Sequence, residues 1–242
     1  MEERLQKVLA RVYGVSRRHA EEWIAEGIVC INGNVAHLGS KVDCTKDTIV
    51  IGQKKLTPHL LQSQNTREVW MLFKPKGVIC THNNPFSCNT LEAYVPPILR
   101  RQKWMFIGRL DKDSEGLLLL TNDGELVQRV AHPSAGIIKV YRAHLDKTFD
   151  LSHCNALKQG RFCQGEWLHF QSIHVVNSHK IDLTLAQGKK HEIRRLLFSF
   201  GYEVVKLKRW KIGALVLDKK LAPGQSRRLS AKEVQQIFEK SC

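Results

Sequence analysis

The spacing of apolar residues divides the chain into a short helical region and a longer region of strands. Between residues 4 and 26, apolar positions recur every three or four residues, a period that predicts two short helices. Gly14 separates them, Ser16 suits the N-cap of the second, and Gly27 suits its end. The chain therefore begins with a predicted pair of helices.

Strand-like alternation starts directly after Gly27. Residues 28–31 and 34–36 flank the turn Asn32-Gly33, which predicts a β-hairpin. A third apolar segment at residues 48–51 completes a small unit, which we place at residues 1–51.

Both periods are lost over residues 52–67, where the sequence turns polar. We predict a linker there and a second domain from residue 68 to residue 242. Apolar runs and helical spacing predict the elements of this domain at residues 69–73, 78–80, 91–101, 125–132 and 191–200. Because strands and helices do not alternate regularly, we predict an α+β fold with a mixed or antiparallel sheet.

The net positive charge of the chain predicts a polyanionic partner. The 242 residues include 38 Lys and Arg against 23 Asp and Glu, a formal net charge of +15, and much of the excess lies in residues 188–228. Nucleic acid and an acidic membrane surface both suit such a charge. No apolar run approaches the roughly 20 residues that cross a bilayer, so we expect nucleic acid and a cytoplasmic location. The seven cysteines form no CxxC pair, and we expect reduced thiols and no metal site.

Residues 108–116 are the strongest candidate for chemistry. They hold Asp111, Asp113 and Glu115 between two glycines and run into the four leucines at 117–120. The acids match the opening of a calcium loop, but the later ligand positions are not acidic, so calcium is disfavoured. We therefore interpret Asp111 as a reactive acid held at the start of a buried strand, and the other two as surface charges.

Two further segments contain basic side chains together with residues that could contact a nucleotide. Residues 139–143 alternate like a strand, so Tyr141 is either a half-buried strand residue or a platform for a nucleobase. Residues 187–197 open a helix whose apolar face adjoins Arg194, a side chain suited to a carboxylate or phosphate. Because no dinucleotide, P-loop, catalytic-triad or zinc motif is present, we expect no cofactor.

Together these segments resemble the RsuA family of ribosomal RNA pseudouridine synthases, in particular its RluB-like branch. Residues 4–51 resemble the S4 RNA-binding domain of this family, and residues 108–124 resemble its catalytic motif. Residues 139–141 are similar to its active-site tyrosine motif, and residues 187–197 to its third motif. Two pairs depart from the family pattern and leave the RNA target open. His191-Glu192 replaces the more usual Arg-Gln or His-Gln, and Ser114-Glu115 stands where relatives often carry a threonine or cysteine beside a small residue.

The resemblance implies that the chain isomerises uridine to pseudouridine in ribosomal RNA without a cofactor, and it favours large-subunit (23S) over small-subunit (16S) RNA as the substrate. Asp111 would be the nucleophile, attacking uracil C6 or ribose C1′, on a uridine flipped out of its helix. We expect Arg194 to pair with Asp111, Tyr141 to pack against the base, and the protein to be a monomer. The basic residues expected to contact RNA are Arg17, Arg18, Arg109, Lys139, Lys189, Lys190, Arg195, Lys206, Lys208 and Arg209.

Two alternatives stay open at this point. The chain could be a non-catalytic RNA-binding or ribosome assembly factor in which only the S4-like domain acts, although an intact Asp111, Tyr141 and Arg194 argue against this. A synthase directed at transfer RNA is disfavoured by the N-terminal domain.

Overall fold

The computed structural model describes residues 2–62, 67–81, 89–100, 103–132 and 135–239. The chain forms two compact units, Met1–Arg67 with Arg100–Lys103, and Glu68–Leu99 with Trp104–Cys242. No helix within the described ranges is long and apolar enough to cross a membrane.

The N-terminal unit joins short helices to small antiparallel sheets. Its elements are β1 (Glu2–Arg4), α1 (Leu5–Tyr13), α2 (Arg17–Ala25), β2 (Val29–Ile31), β3 (Asn34–Val35), β4 (Lys41–Asp43), β5 (Ile49–Ile51), β6 (Lys54–Leu56) and α3 (Pro58–Gln62). One sheet has the order β3-β2-β5-β6, and β1 pairs with β4. The Ser16 side chain accepts a hydrogen bond from the His19 N–H, which caps α2. The predicted helix pair and hairpin are confirmed.

The core of this unit continues into the segment predicted to be a linker. Leu56 of β6 and Leu61 of α3 are buried in the same apolar cluster as Ile49. The prediction of a linker over residues 52–67 was therefore wrong as far as residue 62, while residues 63–66 lie outside the described ranges. Leu56 and Leu61 are separated by mostly polar residues, so they do not produce the regular apolar spacing by which a strand or helix is recognised in the sequence.

The C-terminal unit is built on one nine-stranded sheet. Its elements are β7 (Val69–Lys74), a 3-10 helix (Leu91–Tyr94), α4 (Pro97–Arg100), β8 (Met105–Ile107), β9 (Ser114–Thr121), α5 (Gly124–Ala131), β10 (Lys139–Leu145), α6 (His153–Gln159), β11 (Arg161–Cys163), β12 (Glu166–Leu168), β13 (Ser172–Asn177), β14 (Lys180–Leu185), α7 (Glu192–Phe198), β15 (Val204–Ile212), β16 (Leu215–Val216), β17 (Ser226–Arg228) and α8 (Ala231–Gln236). The order is β13-β14-β10-β15-β9-β7-β17, with β16 on β15 and β8 on β9; β11 and β12 pair separately. β15 and β9 run parallel and β7 and β9 antiparallel, so the predicted α+β fold with a mixed sheet is confirmed.

The leucine run of β9 is buried on both faces of this sheet. Leu117 and Leu119 pack into the cluster with α5 and α8, whereas Leu118 and Leu120 pack into the cluster with the 3-10 helix and α4. All four are 0% exposed. A strand covered on both faces has a continuous apolar sequence instead of an alternating one. The loop that precedes β9 is therefore anchored to the centre of the domain.

Two details of this unit differ from the sequence predictions. The predicted strand at residues 78–80 is reduced to an isolated bridge between Ile79 and Thr90. The predicted helix at residues 91–101 is split into the 3-10 helix and α4, because Pro97 has no N–H to continue the first helix and instead starts the second. The sequence also did not predict that Arg100–Lys103 belongs to the N-terminal unit.

Candidate active site

A cavity of about 540 Å³ opens on the C-terminal unit, where the loop before β9 meets β10, β15 and the start of α7. Asp111, Tyr141 and Arg194, the three predicted catalytic residues, all line it. They come from three separate elements, so the sheet brings together side chains that are distant in sequence.

Asp111 lies in the loop between β8 and β9 with its carboxylate at the cavity. Its side chain is 40% exposed, and Oδ2 lies 3.8 Å from His191 Nδ1. Its carbonyl accepts a 3.0 Å hydrogen bond from the Ser114 N–H, which closes the loop into a turn. The carboxylate is thus open to a ligand while the main chain behind it is fixed.

Lys74 holds this loop from the buried side. Its side chain is 0% exposed, and its ammonium donates to the carbonyls of Pro75 (3.0 Å), Asp111 (3.2 Å) and Ser114 (2.8 Å). Burial lowers the pKa of Lys74, an effect that the negative charge of Asp111 partly opposes. Lys74 was not among the predicted site residues; its only signal in the sequence is a lysine that ends an apolar strand.

Arg209 is a second buried cation beneath the same loop. It is 3% exposed, its Nε donates to the Leu117 carbonyl (2.8 Å), and Nη1 donates to the Arg109 carbonyl (3.3 Å). Arg209, which was predicted to contact RNA, thus donates to main-chain carbonyls; it also lines the cavity, and its Nη2 has no hydrogen-bond partner in the described structure. Gly116 permits the arrangement, since a Cβ there would lie 2.1 Å from the Arg209 carbonyl oxygen.

Tyr141 joins this buried arginine to the open cavity. Its ring is half-buried against the core, and its hydroxyl lies 3.4 Å from Arg209 Nη1. The guanidinium of Arg209 lies 5.9 Å from the centre of the ring. These contacts fix the tyrosine on β10 with its ring at the wall of the cavity.

Arg194 does not make the ion pair that the sequence analysis expected. Its Nη1 donates to the Val204 carbonyl (2.6 Å) and its Nη2 to the Asp113 carbonyl (3.4 Å). No ion pair joins it to Asp111 in the described structure, where the carboxylate is instead nearest to His191. The guanidinium is occupied by main-chain acceptors, so it ties the Asp111 loop to β15 through the backbone.

Glu192 is a buried acid at the start of α7 that lines the cavity. It is 4% exposed; Oε2 accepts a 3.1 Å hydrogen bond from the Lys189 N–H, and Oε1 has no partner in the described structure. Burial raises the pKa of this carboxyl, although the Lys189 N–H opposes the shift. The sequence analysis noted Glu192 only as a departure from the family motif and did not predict its burial.

Several of the basic side chains expected to contact RNA make hydrogen bonds, ion pairs or ring contacts within the protein. Lys139 donates to the Ala186 carbonyl (3.1 Å), and burial lowers its pKa. Arg195 pairs with Glu166 (2.6 Å) and also donates to the Cys163 carbonyl. The remaining internal contacts are Lys189 with the Trp167 carbonyl (2.8 Å), Lys206 with Glu115 (3.1 Å) and Lys208 over the Phe73 ring (4.4 Å).

The other predicted contacts are open to solvent. Arg109 and Lys190 are exposed beside the cavity, and Arg17 and Arg18 are exposed at the start of α2 in the N-terminal unit. Within the described ranges, no group of three or more His, Cys, Asp and Glu is placed to hold a metal ion.

Comparison with known proteins finds a match for both units. The family model described as RNA pseudouridylate synthase matches residues 68–199, and the S4 domain model matches residues 3–49. A solved structure described as a pseudouridylate synthase is 30% identical, covers 97% of this chain and 99% of that chain, and superposes with a TM-score of 0.69.

Two curated relatives align over almost the whole chain. Ribosomal large subunit pseudouridine synthase B of Pseudomonas aeruginosa is 34% identical over 98% of this chain, which spans 62% of the relative's length. Ribosomal small subunit pseudouridine synthase A of Pasteurella multocida is 31% identical over 96% of this chain and 97% of the relative. The chain therefore belongs to the RNA pseudouridine synthase family and carries an N-terminal S4 RNA-binding domain.

Proposed function

We propose that this protein isomerises uridine to pseudouridine in ribosomal RNA, with Asp111 as the nucleophile. The observation that carries the proposal is the placement of Asp111. Its carboxylate faces a cavity of about 540 Å³, while its main chain is held from behind by Lys74. A fixed, solvent-accessible carboxylate in a concave site is the arrangement that covalent attack requires.

The uridine must leave its helix before it can react. A stacked and paired base hides the atoms that Asp111 would attack, whereas an extruded nucleotide can enter a cavity of this size. The ring of Tyr141 at the cavity wall is suited to lie against the uracil. Exposed Arg109 and Lys190 at the rim are suited to the flanking phosphates.

The reaction then needs no reactant besides the RNA. After the Asp111 carboxylate attacks uracil C6 or ribose C1′, the bond between C1′ and uracil N1 breaks and the base rotates. A new bond joins C1′ to C5, C5 releases its proton, N1 gains one, and the carboxylate is freed. The lost C5 proton provides the assay.

Arg194 acts here as a positioning residue for the loop. Its hydrogen bonds to the Val204 and Asp113 carbonyls bind the segment after Asp111 to β15. This replaces the expected direct pairing with the carboxylate, and it leaves Asp111 free to approach the nucleotide.

The N-terminal S4 domain would supply affinity for the RNA instead of chemistry. Arg17 and Arg18 are exposed in the first turn of α2, where they are suited to phosphates. Replacing both by alanine should raise the KM for RNA while kcat is retained.

We assign the substrate to large-subunit ribosomal RNA in preference to small-subunit RNA. The support is the Pseudomonas aeruginosa relative, which is a large-subunit synthase at 34% identity, against a small-subunit synthase of Pasteurella multocida at 31%. Turnover on the two ribosomal transcripts decides between them.

The test is release of tritium from 5-tritiated uridine in transcripts of large-subunit, small-subunit and transfer RNA. We expect release from the large-subunit transcript, and its loss in Asp111→Asn with RNA affinity retained. Asp113→Asn is the matched control in the same loop and should keep turnover. Release from another transcript alone would overturn the substrate assignment. No release from any RNA, including partly assembled subunits, would favour the RNA-binding assembly factor.

A further inference from the structure

The hairpin formed by β11 and β12 lies beside the cavity and is closed by a tight turn. Gln164 and Gly165 at the turn have φ values of 49° and 85°, the pair of positive angles that a type I′ turn requires. On the inner face of the hairpin, Cys163 and Leu168 are buried in the core of the domain. The hairpin is thus docked through one face.

Polar contacts with the middle and the C-terminal end of α7 reinforce this docking. Glu166 pairs with Arg195 at 2.6 Å, and Arg161 donates to the Ser199 carbonyl. Because its inner face is held by apolar burial and by these contacts, the hairpin presents its outer face in a fixed orientation.

The outer face carries two aromatic side chains that the domain does not cover. Phe162 and Trp167 are directly opposite each other across the hairpin, and they are 65% and 54% exposed. A Cβ on Gly160 would lie 2.8 Å from Trp167 Nε1, so the indole rests against the backbone of Gly160. The Trp167 ring is thus held in place although it is exposed.

The hairpin adjoins the cavity through Lys189, which lines the cavity and donates to the Trp167 main-chain carbonyl at 2.8 Å. Lys190, the next residue, also lines the cavity and is exposed. Exposed aromatic rings near basic side chains are typical of surfaces that bind single-stranded nucleic acid, where nucleobases stack on the rings and phosphates meet the cations. The formal net charge of +15 favours a polyanion over an apolar protein surface.

We propose that Phe162 and Trp167 form a stacking surface for an unpaired base of the substrate RNA, close to the nucleotide that enters the cavity. The inference rests on the proposed function for the identity of the RNA, but the stacking itself can be measured without turnover. It adds a specificity element: the target uridine should have an unpaired neighbour.

A structural explanation for the same pair must be separated from this one. Opposed aromatic residues also stabilise a hairpin by packing across its strands. That role predicts loss of thermal stability on truncation and no dependence of RNA affinity on the aromatic character of residue 167.

The experiment compares Trp167→Ala, Phe162→Ala and Trp167→Phe with the intact protein. The affinity of each full-length variant for a short single-stranded oligouridylate and for an RNA duplex of equal length is measured by fluorescence anisotropy, together with thermal unfolding. Leu151→Ala is the control, since Leu151 is an exposed aliphatic residue (66%) of the same domain.

We expect each alanine variant to weaken single-strand binding by roughly 5-fold or more, with little change for the duplex, and Trp167→Phe to retain most of the affinity. On the large-subunit transcript, KM should rise and kcat should stay the same. Unchanged single-strand affinity in both alanine variants would overturn the proposal. So would an equal weakening of duplex binding, because a stacking surface needs an unpaired base. Failure of the intact protein to release tritium would refute the proposed reaction alone, since the oligouridylate measurement does not depend on it.

Discussion

The two sides of the Asp111 loop use positive charge in opposite ways. Beneath the loop, Lys74 and Arg209 are almost fully buried and donate to main-chain carbonyls. Beside the cavity, Arg109 and Lys190 are exposed. The buried cations build the site, and the exposed ones are suited to meet its polyanionic substrate.

This difference bears on how the net charge of +15 should be interpreted. A buried cation must be matched by acceptors or it destabilises the fold, whereas an exposed one loses little by remaining solvated. Lys74 and Arg209 meet main-chain carbonyls of the Asp111 loop and of the first residues of β9. Part of the positive charge that suggests nucleic-acid binding therefore serves to hold the fold together.

Replacing Lys74 with Met should have the largest effect on stability. The change removes the Lys74 donor from the carbonyls of residues 75 and 114 and leaves the carbonyl of residue 111 with the Ser114 N–H, so we expect a loss of about 2–4 kcal/mol in the free energy of unfolding. Urea denaturation measures this, and tritium release should fall in parallel because the Asp111 loop is loosened. Lys76→Met is the exposed control. Equal losses in the two variants would contradict the distinction between buried and exposed cations.

Replacing Arg209 with Lys should have the next largest effect. The charge is kept, but one ammonium cannot reproduce the fork that reaches both the Leu117 and Arg109 carbonyls. We expect a loss of about 1–3 kcal/mol, measured by urea denaturation, and a lower kcat with little change in KM. A purely RNA-binding role would show the reverse, a higher KM with unchanged stability.

Replacing Glu192 with Gln tests the buried acid of the same site. Since burial raises the pKa of Glu192, the folded state binds a proton more tightly than the unfolded state, and stability declines as pH rises toward the folded pKa. Glutamine does not titrate, so the variant should gain stability relative to the intact protein as pH increases. Urea denaturation over a pH series measures the difference. A difference that did not vary with pH would argue against a shifted carboxyl.

The smallest effect should follow from Lys190→Ala on the exposed side. We expect stability to change by less than about 0.5 kcal/mol, while the salt dependence of RNA binding loses about one unit of slope. Binding titrations at several salt concentrations measure this. If the free energy of unfolding fell as much as for Lys74→Met, then Lys190 would stabilise the fold in the same way as the buried cations.

The sequence was sufficient for the features that depend on local pattern. The helix pair, the Ser16 cap and the buried leucine strand all follow from spacing and residue type. The positions of Asp111 and Tyr141 at one cavity agree with motifs that could be recognised residue by residue.

The partners of the charged side chains could not be predicted in this way. The expected pair of Arg194 with Asp111 is replaced by bonds to carbonyls, and Arg209 faces inward. Both outcomes depend on the direct pairing of β15 with β9, a contact between segments about 90 residues apart. The spacing of apolar residues predicts which face of a strand is buried. It does not predict which carbonyl, distant in sequence, will accept a hydrogen bond from an arginine on that strand.

Under the proposed function, the central position of β9 has a consequence for base flipping. A strand covered on both faces belongs to the most slowly exchanging part of a domain, so β9 holds one end of the Asp111 loop in place. The site would then change little on binding, and the deformation would fall on the RNA. Uridines in bulges, loops or weakly stacked steps should be modified fastest, because such nucleotides are already partly extruded.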